Sequence, residues 1–311
     1  MLRGTSLFGQ VLNLIPRLEF ASAVRHHQAE HAAKGFTCWD QFVAMLFCQL
    51  AQAKSLREIC DGLASCAGKI QHLGLSRAPK RSTLAYANEH RPWELYQTVF
   101  YQLLATCRLA ARGRKPFRFK HALYSFDSTT VDLCLSLFDW ARYMRTKGAI
   151  KLHLLLDHEG YLPTFAHLTD GKVGDVAVAR LLDLPADSMV VLDRGYLDYA
   201  QYALWTAQGV WFVTRARINM DYRVIENAPV REGSGVIEDA RIVLVSPHAV
   251  KQGCTCPLRR VVYRDPASGD EFVYLTNNMR LAAATIARVY KDRWQIEAFF
   301  RAIKQNLKIK T

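Results

Sequence analysis

Met189-Val-Val-Leu-Asp-Arg-Gly-Tyr196 places an aspartate directly after four consecutive apolar residues. A short apolar run of this kind predicts a buried strand, Met189–Leu192, that ends at Asp193. A second apolar strand, predicted over residues 122–126, is also followed by an aspartate, Asp127. If the two strands are neighbours, both carboxylates lie at the same edge of a sheet, where ligands and metal ions collect.

The sequence around these two strands predicts an alternation of strands and helices. The further elements are strands over 150–156 and 161–168, joined by a hairpin turn at 157–160, a helix over 175–182, a helix over 198–208 and a strand over 210–214. Three strands, a helix, a strand, a helix and a strand follow the order of a ribonuclease H-like core. We therefore predict an α/β fold.

The sequence before residue 120 has a helical pattern instead. Helices are predicted over 39–53 and 93–110, with two shorter helices between them that Ser55 and Ser82 cap. Glu58, three residues after Ser55, completes a capping box. Short helices joined by basic turns are compatible with a helix-turn-helix DNA-binding unit, and equally with a plain helical bundle that has a basic face.

The chain of 311 residues is strongly basic, and its positive charge is concentrated near the N-terminus. It has 41 Lys and Arg against 28 Asp and Glu, a net charge of +13. Residues 1–120 contribute +10, from 17 basic and 7 acidic residues. Such a balance predicts a polyanionic partner, and we expect double-stranded DNA. The candidate phosphate contacts are Arg81, in a basic turn, and Arg114 and Lys115, in the basic stretch 112–120.

The changes in pattern along the chain predict four segments. The stretch 112–120, in which Pro116 blocks helix continuation, marks the first boundary, and a solvated linker is its other interpretation. The segments are an all-α N-terminal DNA-binding domain (1–115), the first part of a ribonuclease H-like core (116–221), a β-rich insertion (222–277) and a helix that completes the core (278–311).

No segment predicts membrane insertion or secretion. The longest apolar runs, such as 42–47, are far shorter than a membrane span, and Gln10 and Asn13 interrupt the apolar stretch near the N-terminus. The eight cysteines are widely spaced, except that Cys254 and Cys256 form a Cys-x-Cys without the second ligand pair of a zinc site. We expect a cytoplasmic protein that associates with the nucleoid when it binds DNA, with no membrane partner.

One long helix is predicted over 281–309, and its polar stripe carries a single carboxylate among bases. At about 100° per residue, Arg293, Glu297, Arg301 and Lys304 fall within about 60° of Tyr290. A solvated amphipathic helix would also show charges on one side. One glutamate that faces the same way as several bases is compatible with a metal ligand in a groove that binds DNA.

Three carboxylates held close together repel one another unless they bind a cation. Asp127, Asp193 and Glu297 are the candidate ligands, and Mg²⁺ is the natural ion because it takes carboxylate and phosphate oxygens. Two such ions activate a water or a 3′-hydroxyl and stabilise the leaving oxygen of an in-line displacement. We expect two Mg²⁺ ions, with Mn²⁺ as a substitute.

At these residues the sequence resembles the insertion-sequence-4 family of bacterial DDE transposases. Tyr290, Arg293, Glu297 and Lys304 have the spacing of the family's Y-(2)-R-(3)-E-(6)-K motif. Residues 126–133 and 191–196 are similar to the family's first and second catalytic strands. Further similarity lies in residues 141–153 and, in the N-terminal region, in residues 81–84, 87–88 and 91–93. The match covers nearly the whole chain.

The resemblance implies a cut-and-paste transposase with a ribonuclease H-like fold and a β-rich insertion before the catalytic glutamate. It implies that Asp127, Asp193 and Glu297 form the metal-binding catalytic triad. It also implies that Tyr290, Arg293 and Lys304 contact DNA near the cleaved phosphate, and Arg301 lies on the same stripe. The expected partners are the terminal inverted repeats of a transposon and target DNA, with a homodimer on paired ends.

Two alternatives to an active transposase remain open from the sequence. Family members usually continue past this helix with further helical sequence, whereas the sequence ends at Thr311. This favours, as an alternative, a catalytically inactive DNA-binding remnant that competes for transposon ends. A general nuclease of the same fold would cleave DNA without end specificity and without joining.

Overall fold

The computed structural model describes residues 6–31, 33–66, 68–133, 142–144, 147–217 and 219–306; side chains are described outside 132–148. The chain divides into two compact units, the first formed by 1–110 with 301–311 and the second by 111–300. Of the stretches 141–153 and 281–309 singled out in the sequence, residues 141, 145–146 and 307–309 lie outside the described residues.

Helices make up the regular structure of the first 111 residues in the part of the chain that is described. They are α1 (Leu7–Leu12), α2 (Arg17–His26), α3 (Cys38–Leu50), α4 (Leu56–Ser65), α5 (Arg81–His90) and α6 (Glu94–Ala111), with a short 3₁₀ helix at Ile70–Leu73. Buried apolar side chains of α2 to α6, such as Phe20, Val43, Ile59, Leu84 and Leu95, pack into one core.

The starts of α4 and α5 differ in their capping. The Ser55 hydroxyl accepts the Glu58 amide at 3.2 Å, as predicted, while the Glu58 carboxylate accepts the Lys54 amide at 2.7 Å rather than that of Ser55. The prediction that Ser82 caps the next helix is wrong. Helix α5 begins at Arg81 after Lys80, which makes no side-chain cap.

A single mixed sheet organises the second unit. Its strands are β1 (Leu123–Leu133), β2 (Arg142–Met144), β3 (Lys147–Asp157), β4 (Leu162–Asp170), β5 (Met189–Leu192), β6 (Trp211–Arg215), β7 (Tyr222–Asn227), β8 (Val236–Leu244), β9 (Leu258–Arg264) and β10 (Glu271–Thr276). Among the described residues the order is β2-β3-β1-β5-β6-β10-β9-β8-β7, and β4 pairs with β3.

The remaining helices are α7 (Asp175–Ala179), α8 (Tyr199–Ala207), α9 (Pro247–Lys251), α10 (Ala283–Asp292) and α11 (Trp294–Asn306), with a short 3₁₀ helix at Arg194–Tyr196. Alternate residues of β5 pack into different cores. Val190 and Leu192 lie with Tyr202 and Trp205 of α8, while Met189 and Val191 lie with residues of α10. Since neighbouring strand residues point to opposite faces, β5 is buried on both faces, which explains its unbroken apolar run.

Strand β5 has the predicted bounds, whereas β1 is longer than predicted. Asp127 does not end β1, because the strand continues to Leu133 and pairs with β3 from Tyr124↔Asp157 to Leu133↔Gly148. The β-branched residues that follow Asp127 favour this extension. Strand β5 is parallel to β1, with Phe126 opposite Leu192.

The stretch 222–277, predicted as a β-rich insertion, continues the same sheet. Strand β10 pairs antiparallel with β6, with Leu275 opposite Thr214. Asn277 reinforces this junction: its side chain accepts the Phe212 amide and donates to the Val210 carbonyl, both at 2.9 Å. The insertion is therefore joined to the core by backbone pairing rather than by a flexible connection.

The prediction of one long helix over 281–309 is wrong, since two helices meet at Arg293. Arg293 closes α10, and its amide donates to the Tyr290 carbonyl at 3.1 Å. The Ile296 amide then donates to the Arg293 carbonyl, also at 3.1 Å. Both bonds span three residues, as in a 3₁₀ turn, and they change the helical path between Tyr290 and Glu297. Within the described ranges, no helix has the length and apolar character that crossing a membrane would need.

Candidate active site

Asp127 and Asp193 directly follow a pair of opposed residues on neighbouring strands. Each directly follows one member of the Phe126–Leu192 pair, which joins parallel strands β1 and β5. Asp193 leaves β5 and precedes the 3₁₀ helix, while Asp127 stays within β1. The pairing of β1 with β5 fulfils the condition that the sequence left open, namely that the two strands are neighbours.

Three donors surround the Asp127 carboxylate. Its Oδ1 accepts the Ser128 amide at 2.8 Å and the Tyr196 hydroxyl at 3.3 Å, and its Oδ2 accepts Arg293 Nη1 at 3.1 Å. Burial nevertheless raises the pKa of Asp127 above its ordinary value, although the Ser128 amide and Arg293 favour the charged form. The hydrogen bonds to Asp127 therefore only partly offset the cost of removing its carboxylate from water.

Arg293 connects two of the three candidate carboxylates. While Nη1 donates to Asp127, Nη2 donates to Glu297 Oε1 at 2.6 Å. Its side chain is 13% exposed, and its Nε is buried without a hydrogen-bond partner in the described part of the chain. Burial alone would lower the pKa of Arg293, but Tyr290, Asp127 and Glu297 together raise it. The guanidinium therefore remains charged between two acids.

Tyr290 makes the corresponding contact with the other aspartate. Its hydroxyl donates to Asp193 Oδ1 at 3.1 Å, and the Arg293 guanidinium carbon lies 5.6 Å from the centre of its ring. Burial raises the pKa of Tyr290, so the hydroxyl stays protonated and acts as a donor. The end of α10 and the start of α11 thereby contact both aspartates of the sheet.

The three candidate acids have the ligand chemistry that a hard divalent cation requires. Asp127, Asp193 and Glu297 supply only carboxylate oxygens, the ligands that Mg²⁺ prefers. Burial of Asp127 disfavours its negative charge, a cost that a nearby cation offsets and that Arg293 offsets here. Among the residues that the structure describes, no three His, Cys, Asp or Glu side chains are gathered closely enough to hold an ion as they stand.

Comparison with known protein families identifies the segment that carries this site. Residues 118–311 match the family model described as "Transposase DDE domain". The chain belongs to the transposase DDE-domain family. Residues 3–76 of this transposase-family chain match a second model, described as "Domain of unknown function (DUF4372)".

Two curated relatives are similar to this transposase-family chain. One is "Putative transposase y4zB" of Sinorhizobium fredii, 32% identical over 240 residues, which are 75% of the present chain and 65% of the relative. Another is "Probable transposase for insertion sequence element IS5377" of Geobacillus stearothermophilus, 27% identical over 74% of the present chain and 60% of the relative. The chain thus spans less than two thirds of the length of either relative.

A solved structure, "Cryo-EM structure of piggyBac transposase synaptic complex with hairpin DNA (SNHP)", is also similar to it. The match has a TM-score of 0.46 and 12% identity, and it covers 97% of the present chain and 67% of the other.

The other predicted DNA-binding residues of this transposase-family chain lie on exposed surfaces. Arg301 and Lys304 are exposed on α11, and Arg81 is exposed at the start of α5. Arg114 and Lys115 are exposed in the basic stretch, where Lys115 Nζ donates to the Lys120 carbonyl at 3.4 Å.

Sequence reasoning missed a polar group beside Asp127 in the transposase domain. Asp175 Oδ1 accepts the Ser128 hydroxyl at 2.7 Å and Lys151 Nζ at 3.3 Å. Tyr196, which donates to Asp127, was also missed as a site residue. The available signal was position alone: Ser128 follows Asp127, and Tyr196 is three residues after Asp193.

Proposed function

We propose that this protein is a Mg²⁺-dependent DDE transposase that binds insertion-sequence ends and catalyses DNA cleavage and strand transfer. The observation that carries this proposal is the approach of three acidic residues from distant parts of the chain. Asp127 and Asp193 follow paired residues of parallel strands, and Arg293 joins Asp127 to Glu297. Membership of the transposase DDE-domain family supports the same activity.

The sheet supports assignment of residues 116–221 to a ribonuclease H-like core. Strands β4, β3 and β1 are antiparallel neighbours, and β5 and β6 then follow β1 in parallel. The Tyr290-Arg293-Glu297-Lys304 spacing supports a place in the insertion-sequence-4 family. In this proposal 222–277 is the family's β-rich insertion, and 278–311 carries the catalytic glutamate.

In the proposed mechanism, Asp127, Asp193 and Glu297 would hold two Mg²⁺ ions, for which Mn²⁺ could substitute. Bound there, the ions would activate a water or a 3′-hydroxyl and stabilise the leaving oxygen. The chain's own residues orient the acids: Arg293 fixes Asp127 against Glu297, and Tyr290 holds Asp193 by its hydroxyl. The Asp127 carboxylate keeps its orientation through the Ser128 amide.

Charge supports double-stranded DNA as the partner. The excess of eight positive charges in residues 1–115, from 15 basic and 7 acidic residues, favours phosphate binding by the proposed N-terminal domain, with Arg81 as one contact. Arg114, Lys115, Arg301 and Lys304 are proposed as further phosphate contacts, and Tyr290 and Arg293 as residues near the scissile phosphate. We propose a homodimer on paired transposon ends.

Incubation with duplexes taken from the two flanks of the protein's own gene tests the proposal. In Mg²⁺ we expect nicking at the element boundary followed by joining to a target plasmid. Asp127→Asn, Asp193→Asn and Glu297→Gln should each abolish both steps and still bind the duplex. In Ca²⁺ alone we expect binding without cleavage, because its larger and looser coordination shell misplaces the attacking oxygen.

Each alternative gives a different result in this assay. Binding to flank DNA without cleavage in Mg²⁺ or Mn²⁺ would favour the inactive remnant. Cleavage of flank and unrelated duplexes at equal rates, without joining, would favour a general nuclease. Cleavage that persists in one of the three acid variants would remove that residue from the triad.

A further inference from the structure

A buried chain of hydrogen bonds runs from the Asp127 strand to the end of α10. The His158 ring forms two hydrogen bonds. Its Nε2 lies 2.7 Å from Ser125 Oγ, and its Nδ1 lies 2.6 Å from Asp292 Oδ2. Because a carboxylate only accepts, Nδ1 donates to Asp292. When the ring carries no second proton, Nε2 accepts the Ser125 hydroxyl. Ser125 and His158 are 0% and 1% exposed.

The three residue types match a nucleophilic triad, but their burial excludes that role. Ser125 has no exposed surface, so no substrate reaches its hydroxyl. Its backbone is paired on both sides, with Leu156 of β3 and Val191 of β5. A serine fixed in the middle of a sheet cannot attack a substrate, and the function of this chain of bonds is therefore to hold its members in place.

Tyr161 strengthens the chain from the other side of Asp292. Its hydroxyl donates to Asp292 Oδ2 at 3.2 Å and to Oδ1 at 3.3 Å. Tyr161 has a φ of +54°, a left-handed conformation that a bulky side chain rarely adopts. Strained backbone of this kind persists where surrounding contacts enforce it, often near functional sites. Here the hairpin turn between β3 and β4 holds both His158 and Tyr161 toward one carboxylate.

The two ends of this chain are close in sequence to the candidate active site. Ser125 is two residues before Asp127, so both side chains leave β1 on the same face. Asp292 is the last residue of α10 and directly precedes Arg293. The His158 amide also donates to the Leu123 carbonyl at 2.9 Å, which fixes the turn on β1. The hydrogen bonds therefore connect β1, which carries Asp127, to the break between α10 and α11, which carries Arg293.

We propose that Ser125, His158, Tyr161 and Asp292 form a positioning relay that fixes the α10–α11 break and so holds Arg293 between Asp127 and Glu297. The importance of this position for cleavage rests on the proposed function. The relay residues do not touch DNA in this proposal, and they act through Arg293.

Hydrogen exchange of the full-length protein, without DNA or metal, tests the relay directly. Asp292→Asn and His158→Phe keep most of the side-chain volume and remove the charge or the ring donors, and Tyr161→Phe removes one hydroxyl. Each should speed exchange of the amides at 293–297 about tenfold, with the β5 amides unchanged. His167→Phe, on β4 of the same hairpin, is the matched control, since His167 bonds to neither Ser125 nor Asp292 in the described residues.

The outcomes separate the relay from general stability and from the proposed function. Local acceleration at 293–297 together with an unchanged unfolding midpoint supports the relay. Wild-type exchange at 293–297 in Asp292→Asn and Tyr161→Phe, or acceleration spread evenly over the sheet, overturns it. If His158→Phe does not fold, Tyr161→Phe decides, because it loses a single oxygen.

A cleavage assay then tests the link to the active site. At saturating end DNA, the relay variants should lower the single-turnover rate about tenfold and leave DNA affinity within about twofold. Normal rates despite faster local exchange would overturn the action through Arg293. Failure of the wild-type protein to cleave any DNA would count against the proposed function alone, because the exchange result stands without it.

Discussion

Arg293 donates to two acids at once, with one terminal nitrogen for Asp127 and the other for Glu297. A planar guanidinium presents two separate nitrogens to the two acids, whereas a lysine ammonium would have to place both acids around one nitrogen. The residue thus sets the separation of two carboxylates that the chain brings together across 170 positions. Its contribution is geometric as well as electrostatic.

Arg293→Lys should therefore reduce cleavage although it conserves charge. We expect the single-turnover rate at saturating DNA to fall tenfold or more, about 1.4 kcal/mol in the barrier, because Lys carries all its donors on one nitrogen and cannot reproduce the spacing of the two acids. Arg288→Lys is the matched control, since Arg288 is an exposed residue of α10 that donates to Thr285. A rate for Arg293→Lys equal to that of the control would show that the guanidinium is not required.

Asp127→Asn should abolish cleavage without destabilising the protein. Since burial raises the pKa of Asp127, the folded state favours the neutral carboxyl. The wild-type protein therefore loses folding stability as pH rises from the unfolded pKa of Asp through the raised pKa of the folded state. The unfolding midpoint of the variant relative to the wild type should increase as pH rises above about 4, the unfolded pKa of Asp. Thermal unfolding at several pH values measures this difference. A variant that becomes relatively less stable toward pH 7 would contradict it.

At the scale of elements, the sequence predicted strands better than the path of the last helix. Met189–Leu192 was correctly bounded because four apolar residues in succession need burial on both faces. The break at Arg293 has no glycine or proline to mark it. At this break Arg293 contacts Asp127, and the preceding Asp292 contacts His158. Both partners lie more than 130 positions away in the sequence. Helical periodicity carries no information on such distant partners.

The same limit applies to the candidate site. Asp193 could be selected because it follows an apolar strand, and Tyr290, Arg293 and Glu297 because of a motif spacing. Asp127 could be selected as the residue after an apolar run, although β1 continues beyond it. The roles of Ser125 and His158 could not, since a buried serine and a turn histidine look ordinary until the fold brings them to Asp292. The break also invalidates a single helical wheel through Tyr290 and Glu297.

Glu297 and Lys304 are seven residues apart on α11 and share one side of this helix. We therefore expect Lys304 to contact a DNA phosphate. Lys304→Ala should lower the rate of cleavage and reduce the slope of log affinity against log salt by about one, as for a lost phosphate contact. Gln305→Ala is the control, one position around the same helix and also exposed. Equal salt slopes for Lys304→Ala and the control would exclude Lys304 as a phosphate contact.

For the whole molecule, the uneven charge predicts where DNA affinity resides. Residues 1–120 carry a net +10 and the rest +3. The double change Arg114→Ala with Lys115→Ala should weaken binding to all duplexes and reduce the salt slope by about two. Arg264→Ala should have little effect, because Arg264 forms an ion pair with Glu271. Gel-shift titrations between low and moderate salt distinguish the two, and an equal effect would contradict this placement of the interface.

Strand β1 is paired on both sides from Tyr124 to Phe126, directly before Asp127, and this restricts how the chain tolerates insertions and deletions. One residue gained or lost between Leu123 and Asp127 would turn the carboxylate to the opposite face of the sheet. The same change in the turns at 228–235 or 265–270 would leave the β1–β5 register untouched. Length differences among active relatives should therefore accumulate in those turns. The number of residues between the start of β1 and its aspartate should be constant.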